Sequence, residues 1–341
     1  MAQVNGISDF LNQAGTQFKV FDMGRRIKEI SAADFLSFEL GESAYPLPLQ
    51  QQAWLGFLVW NEDKNSELVI WFLRFPLDAA GKLTKGIRDD FVLRLLNKEG
   101  SETPQQDETN PYGFKPKQEH MASFHAKAAT QLKQPASSYY EHTIDYFTGK
   151  LGFDQWEFVG FQGIADIAAR LNENNNSTLI TAAIEKIPPQ PFEALAQCLE
   201  HEKIDTALTQ AIVNVINREL EKNTIDANFI SLCIRALSNT QDATQLELIL
   251  NTILTSNVGS HPEVLASISG RSWLALQNET TVNLFLEALA NCNEGQEFFN
   301  LVIVDLINIP GMQASILNAV KFPERSEKLS QAIGELFKTF A

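Results

Sequence analysis

The chain has 341 residues, of which 44% are apolar and 10% aromatic, so it is long enough for two domains with hydrophobic cores and too apolar for extended disorder. Its 27 basic and 42 acidic residues give a net charge of −15, and the excess lies in the second half, since residues 1–150 carry −3 and residues 151–341 carry −12. A surface this acidic repels phosphate, which argues against nucleic acid and anionic membranes as partners.

Residues 1–98 alternate between helix and strand patterns. Ser31 is a favourable helix N-cap, and Gly15 and Gly41 can take the left-handed conformation that ends a helix. Two runs of aromatic and β-branched residues, separated by the polar segment Asn61–Ser66, predict a hairpin buried on both faces. The predicted elements are helix 7–14, strands 18–21 and 26–30, helix 32–40, strands 53–60 and 67–75, and helix 85–96.

Residues 99–117 are rich in proline, glycine and polar residues and are predicted to form a linker or long loop. Helices are predicted at Gln118–Leu132 and Ser138–Phe147. The segment 149–160 that follows is irregular and rich in aromatic residues, and we expect it to form a joint between the two halves of the chain.

From residue 161 onward nearly every segment has the spacing of an amphipathic helix. Four stretches resemble one another, and the matching patterns start at Phe192, Phe229, Val264 and Phe298, which are 37, 35 and 34 residues apart. Paired helices at this period are typical of an α-solenoid, in which each pair buries its apolar face against the next. A helical bundle without repeats is the alternative. The four stretches are 189–223, 226–257, 262–293 and 294–323.

The predicted fold class is therefore α+β, with a small N-terminal domain built on an antiparallel sheet and an all-α, HEAT-like helical-repeat domain after it. The predicted boundaries are 1–98 for the α+β domain, 99–117 for the linker, 118–160 for the connecting helices and aromatic joint, and 161–341 for the helical repeats.

A first candidate ligand site is the turn that contains Gly24, Arg25 and Arg26. Two guanidiniums beside a glycine can bind a phosphate or a carboxylate. The alternative is an ordinary charged hairpin in which Asp22 pairs with one of the arginines.

A second candidate is the segment FDQWEF at 153–158, in which Asp154, Gln155 and Trp156 are side chains of the kind that line a groove. The alternative is a structural joint, in which the aromatic residues are buried and the glycines 160 and 163 permit close approach of the backbone. In that case Asp166 and Arg170 form an ion pair one helical turn apart.

Motifs for catalysis and for metal binding are missing from the sequence: it contains no GxxxxGK[ST], GxGxxG, GxSxG, HExxH or CxxC. The three cysteines are flanked by apolar residues and predicted to be buried and inert, and the histidines are predicted to have surface or capping roles. These absences favour a protein without enzymatic activity and predict neither a metal nor a cofactor. The residues are Cys198, Cys233, Cys292, His120, His125, His142 and His201.

Four segments together resemble a bacterial protein family of unknown function: NPYGFKP at 110–116, FDQWEF at 153–158, WFLRFPLD at 71–78 and GRR at 24–26. The resemblance covers most of the chain. It implies a bacterial and cytoplasmic setting, and it brings no activity, cofactor or assigned residue.

The sequence thus favours an interaction or adaptor protein whose acidic helical surface binds a protein partner with a basic surface. The alternative is an enzyme or small-ligand binder that uses Arg25, Arg26, Asp154, Gln155 and Trp156 at the seam between the domains. Self-assembly is a third possibility, and the oligomeric state stays open. We expect a cytoplasmic location, because the first basic residue is Lys19, no apolar signal segment precedes it, and no apolar run is long enough to span a membrane.

Overall fold

The computed structural model of the chain describes residues 6–61, 68–97 and 110–339. The chain divides into two compact units: Met1–Lys117 with Asn308–Pro310, and Gln118–Ile307 with Gly311–Ala341. A four-stranded antiparallel sheet lies in the first unit and helices make up the second, so the α+β class is confirmed. The predicted turn at 61–66 beyond Asn61, and residues 99–109 of the predicted linker, lie outside the described residues.

The first unit is a sheet with helices packed on one face. Its strands are ordered β2-β1-β3-β4, and every neighbouring pair is antiparallel. Ser31 caps α2 as predicted, because its side chain accepts a hydrogen bond from the amide of Asp34. The elements are α1 Ile7–Gln13, β1 Gln17–Asp22, β2 Lys28–Ile30, α2 Ala32–Glu39, β3 Gln52–Trp60, β4 Val69–Pro76 and α3 Lys85–Asn97.

Both faces of the central hairpin are buried. Leu55 and Phe57 of β3 point into the main core of this unit, while Leu58 and Phe72 are buried on the opposite face. Successive side chains of a strand alternate between its two faces, so the nearly continuous apolar sequence of β3 and β4 follows from burial on both sides.

Part of the predicted linker or long loop pairs with the edge of the sheet. The amide of Arg74 donates to the carbonyl of Tyr112 at 2.7 Å, and the amide of Phe114 donates to the carbonyl of Phe72 at 3.2 Å. The Tyr112 ring packs against Phe75 and Phe91. Backbone pairing and aromatic packing therefore attach residues 110–114 to the free edge of β4.

The second unit consists of helices arranged in two layers. The elements are α4 Gln118–Gln131, α5 Tyr140–Phe147, a 3₁₀ helix Phe153–Phe158, α6 Phe161–Ala169, α7 Asn176–Ala183, α8 Pro189–Leu199, α9 Thr206–Leu220, α10 Ala227–Leu237, α11 Ala243–Leu254, α12 Pro262–Arg271, a 3₁₀ helix Trp273–Gln277, α13 Glu279–Ala290, α14 Gly295–Ile307, α15 Gln313–Val320 and α16 Glu327–Thr339. In the first layer α4, α6, α8, α10, α12 and α14 each contact the next, and in the second layer α7, α9, α11, α13 and α15 do the same.

Side-chain caps set the starts of several of these helices. Asp205, Asp226 and Asp242 each accept backbone amides in the first turn of α9, α10 and α11. Proline is the first residue of both α8 and α12, where its missing N–H costs no helical hydrogen bond. Part of the negative charge of this unit therefore has a structural role.

Candidate functional site

The turn after β1 is built around a buried carboxylate. Asp22 accepts hydrogen bonds from the backbone amides of Arg25 and Arg26 at 3.1 and 3.0 Å, and from the Tyr45 hydroxyl at 2.7 Å. Burial raises the pKa of Asp22 to about 6, although each of these hydrogen bonds opposes the rise. Asp22 thus fixes the path of the chain from β1 to β2.

The arginines of the first candidate site lie inside this turn. Arg25 is fully buried and its Nε donates to the carbonyl of Pro48 at 2.6 Å, and only 7% of Arg26 is exposed. The charged hairpin that was the alternative prediction is buried, and within it Asp22 accepts the backbone amides of both arginines. Ligand binding by Arg25 and Arg26 stays a prediction.

The second candidate segment lies in the helical unit, so the arginines and this segment belong to different units. Asp154 and Gln155 are exposed and hydrogen-bond to each other at 2.8 Å, and Trp156 is half-buried. Burial of the aromatic residues, expected for a joint, is not found: no residue of this 3₁₀ helix is buried, and Phe158 is 70% exposed. Ligand binding by Asp154, Gln155 and Trp156 stays a prediction as well.

Two other features predicted for the joint are present in α6. The Asp166 and Arg170 side chains form a buried ion pair at 3.1 Å, and Asp166 also accepts the amide of Ser137 at 3.0 Å. At Gly163 a Cβ atom would lie 2.9 Å from the carbonyl oxygen of Tyr139. Gly163 therefore lets α5 and α6 approach closely.

A cluster of charged side chains that sequence reasoning missed is centred on Glu200, directly after α8. The Nε of Arg235 donates to one carboxylate oxygen at 2.6 Å, and the Nε of Arg271 lies 3.2 Å from the other. Only 1% of the Glu200 side chain is exposed. Burial opposes its ionisation, but the guanidiniums of Arg271 and Arg235 outweigh it and hold the pKa of Glu200 below its ordinary value.

Helix α4 adds a second set of contacts to this cluster. Lys127 donates to both carboxylate oxygens of Glu202 and to the carbonyl of His201, each at 2.9 Å. The His201 ring lies 5.1 Å from the His120 ring, centroid to centroid, and its Nε2 lies 3.6 Å from Glu200. The surface or capping role predicted for His201 is wrong, since it is 4% exposed and packed inside the cluster.

The ends of the first-layer helices are aligned by these contacts. Arg235 and Arg271 lie in the last turns of α10 and α12, and both reach Glu200 at the end of α8. The amide of Gln241, after α10, also donates to the carbonyl of Ile204, after α8, at 3.1 Å. The C-terminal ends of α8, α10 and α12 therefore share one edge of the layer, and their N-terminal ends lie about 15 Å away at the opposite edge.

Four exposed carboxylates stand at or near the N-terminal ends of neighbouring first-layer helices, and we call them the acidic row. Each stands before or within the first five residues of one of four neighbouring helices, α8, α10, α12 and α14. None of them forms an ion pair with another residue in the described ranges, whereas the buried Glu200 and Asp166 are both paired. The acidic row consists of Glu193, Asp226, Glu263 and Glu297.

The cysteine thiols are the remaining reactive groups of the helical unit. All three cysteines are free and buried, as predicted, and burial raises the pKa of Cys198 to about 12. Within residues 6–61, 68–97 and 110–339, no three His, Cys, Asp or Glu side chains are placed to hold a metal ion. In the same ranges, no helix combines the length and apolar character needed to cross a lipid bilayer.

Comparison with known proteins yields one family. A family model described as a protein of unknown function (DUF3549) matches residues 2–337. No curated protein and no solved structure matches the chain. Since the match covers nearly the whole sequence, the chain belongs to the DUF3549 family.

Proposed function

We propose that this protein is a non-enzymatic interaction or adaptor protein whose helical unit binds a protein partner with a basic surface. The observation that carries the proposal is the acidic row, because four neighbouring helices each expose a carboxylate without a described ion-pair partner. Carboxylates before or within the first turn of a helix interact favourably with the helix dipole, as Asp226, Glu263 and Glu297 do. Most of the row therefore costs the fold little while it presents negative charge to a partner.

The layered packing supports the same proposal. Successive pairs from α8–α9 to α14–α15 follow the predicted stretches, and each layer is continuous from one pair to the next. We interpret this arrangement as a HEAT-like solenoid, a class of fold that binds proteins along an extended surface. The free, buried cysteines fit a reducing cytoplasm, which we propose as the compartment.

Wild type, a test variant and a control variant of the full-length protein are each used to recover partners from lysate of the source cells at low salt. Quantitative mass spectrometry then compares the recovered partners. The test variant removes charge but keeps hydrogen-bonding groups: Glu193→Gln, Asp226→Asn, Glu263→Gln and Glu297→Gln. The control removes four exposed charges elsewhere in the same unit: Glu141→Gln, Glu157→Gln, Glu173→Gln and Glu279→Gln.

A basic partner recovered by wild type and by the control variant, but lost from the acidic-row variant, supports the proposal. Asn remains a good N-cap, so loss of the partner would not reflect unfolding of α10. Equal recovery by all three forms, or no stoichiometric partner at low salt, would overturn it.

A further inference from the structure

Apolar side chains on three neighbouring first-layer helices form a band beside the acidic row. We infer that this apolar band is the docking surface for an amphipathic helix of the partner, whose basic flank faces the acidic row. The inference rests on the proposed function, and it names the kind of segment by which the partner binds. The apolar band consists of Leu232 in α10, Ala266 in α12 and Leu301 in α14.

The open face of each of these helices carries one residue of the band. Leu301 is 63% exposed, Ala266 is exposed and Leu232 is partly exposed, although each helix packs on neighbours in its own layer and on the second layer. A Cβ at Gly270, one turn after Ala266, would meet no described atom apart from its chain neighbours and its own helix. The outer face of α12 is therefore open and lined by small residues.

On α12 and α14 the band lies one helical turn from the acidic row. Ala266 follows Glu263 by three residues, and both are exposed. Leu301 follows Glu297 by four residues, and both are again exposed. These spacings place the apolar residue and the carboxylate on one face of each helix. A segment that covers the band thus lies within reach of the carboxylates.

The residues of the band lie at similar positions along their helices. Leu232 is the sixth residue of α10, Ala266 the fifth of α12 and Leu301 the seventh of α14. The C-terminal ends of α10 and α12 are held together by Glu200. Short connections before and after α13 reverse the chain twice, so α14 runs parallel to α12. The band therefore runs across the helix axes.

The step from one helix to the next fits an α-helical partner. Packed helices lie about 8–10 Å apart, and a helix rises about 1.5 Å per residue. Side chains seven residues apart on the partner would therefore lie about 10 Å apart on one face. Three such side chains match the step from Leu232 to Ala266 to Leu301, and the largest fits above the short side chain of Ala266.

The charges of these helices favour a basic flank on the partner. Arg235 and Arg271, in the last turns of α10 and α12, both bind Glu200, and Glu193 also attracts Arg235. The carboxylates of the acidic row on the three helices of the band are left to attract the partner. These are Asp226, Glu263 and Glu297.

Two labelled synthetic peptides of equal length and net charge test the docking surface by fluorescence anisotropy, with the full-length protein at low salt. One peptide has leucine at every seventh position of a helical sequence and lysine along one flank, and the other has glutamine in place of each leucine. Leucine and glutamine have similar helix propensities, so the peptides differ chiefly in apolar surface. We expect wild type to bind the leucine peptide at least about tenfold more tightly.

Substitution of Leu301 tests where the peptide binds. Leu301→Gln should reduce the preference for the leucine peptide at least about threefold, because an apolar contact is lost. The matched control Leu248→Gln replaces a leucine of α11 that is 57% exposed, and it should keep the wild-type preference. The acidic-row variant should bind both peptides more weakly and keep the preference, since the row attracts both alike.

Equal affinities of wild type for the two peptides would overturn the inference, while weaker binding of both by the acidic-row variant would still support the proposed function. A preference that Leu301→Gln leaves undiminished would also overturn it. If neither peptide binds wild type, the inference fails, and recovery of partners from lysate alone decides the proposed function. Circular dichroism checks the fold of each variant, and Leu232→Gln, with the same expectation, replaces Leu301→Gln if the latter does not fold.

Discussion

At the scale of single residues, ionisation of Asp22 lowers the stability of the folded first unit. Its carboxylate is fully buried, and its pKa rises from 3.8 to about 6. Between these values the folded protein binds a proton that the unfolded chain does not, so stability falls as the pH rises from about 4 to 6. The shift corresponds to a difference of about 3 kcal/mol at neutral pH.

The Asp22→Asn substitution should therefore remove this pH dependence from the unfolding of the first unit. An asparagine oxygen can accept the amides of Arg25 and Arg26, and its NH₂ can donate to the Tyr45 hydroxyl while that hydroxyl donates to the carbonyl of Trp54. The measurement is the free energy of unfolding by urea between pH 4 and 7. A variant whose stability still fell over this interval by the wild-type amount would contradict the assignment.

Gly6 is required by the way Glu39 caps α1. Glu39 accepts hydrogen bonds from the amides of Ile7 and Ser8, and a Cβ at Gly6 would lie 2.6 Å from its carboxyl carbon. We expect Gly6→Ala to displace Glu39, leave these amides without their acceptor, and destabilise the first unit by about 1–3 kcal/mol in denaturant unfolding.

Gly86→Ala in α3 is the matched control for this substitution. Apart from its chain neighbours and the backbone of its own helix, no described atom lies within 4 Å of a Cβ at Gly86, so alanine there should stabilise the helix by up to about 1 kcal/mol. Equal effects of the two substitutions would show that the Glu39 cap does not depend on Gly6.

At the scale of elements, the contact between α5 and α6 depends on Gly163. A Cβ there would overlap the hydroxyl of Thr143 and crowd the Tyr139 backbone. Because backbone cannot yield as a flexible side chain does, Gly163→Ala should destabilise the helical unit by about 1–3 kcal/mol. Gly334→Ala in α16, where no described atom beyond the chain neighbours and the helix's own backbone lies within 4 Å of the new Cβ, should instead stabilise the unit by about 0.5–1 kcal/mol.

Thermal unfolding followed by circular dichroism separates these two expectations. The melting temperature should fall with Gly163→Ala and rise with Gly334→Ala. A fall of the same size in both variants would mean that helix propensity, rather than the approach of α5 to α6, governs the result.

Most elements could be predicted because their signals are local. The hairpin of β3 and β4 follows from its aromatic and β-branched runs, and the helix pairs follow from apolar spacing. Proline and glycine in residues 110–114 indicate a linker or long loop, whereas the pairing of these residues with β4 depends on a sheet edge that only the folded chain provides.

Features of the candidate sites were harder to predict, because they depend on contacts between residues distant in sequence. Glu200 meets Arg235 and Arg271, which follow it by 35 and 71 residues. These intervals are close to one and two predicted repeat periods. Residues at that spacing occupy equivalent positions in successive helix pairs, and this spacing is the sequence pattern from which the cluster could have been predicted. The aromatic composition around Phe158 suggested burial, yet hydrophobicity alone cannot specify which faces are covered.

At the scale of the whole molecule, the acidic residues of the helical unit lie in different environments. Buried acids such as Glu200 and Asp166 are paired, and Asp205 and Asp242 cap helices. The acidic row is exposed and without described ion pairs, and one of its members, Asp226, also caps α10. An adaptor that uses the acidic row should bind less tightly as salt screens these charges, with an effect spread over all four helices.

The most direct test of this account is the dissociation constant of the recovered partner, measured by calorimetry with wild type, the acidic-row variant and the control variant at 50 and 200 mM salt. Four exposed charge pairs at about 0.2–1 kcal/mol each predict a loss of about 0.8–4 kcal/mol, so that the acidic-row variant binds about 4- to 900-fold more weakly at low salt, and its affinity depends less on salt. The control variant should stay within about threefold of wild type. Equal affinities of the acidic-row variant and wild type at 50 mM salt would contradict the assignment of the acidic row as the binding surface.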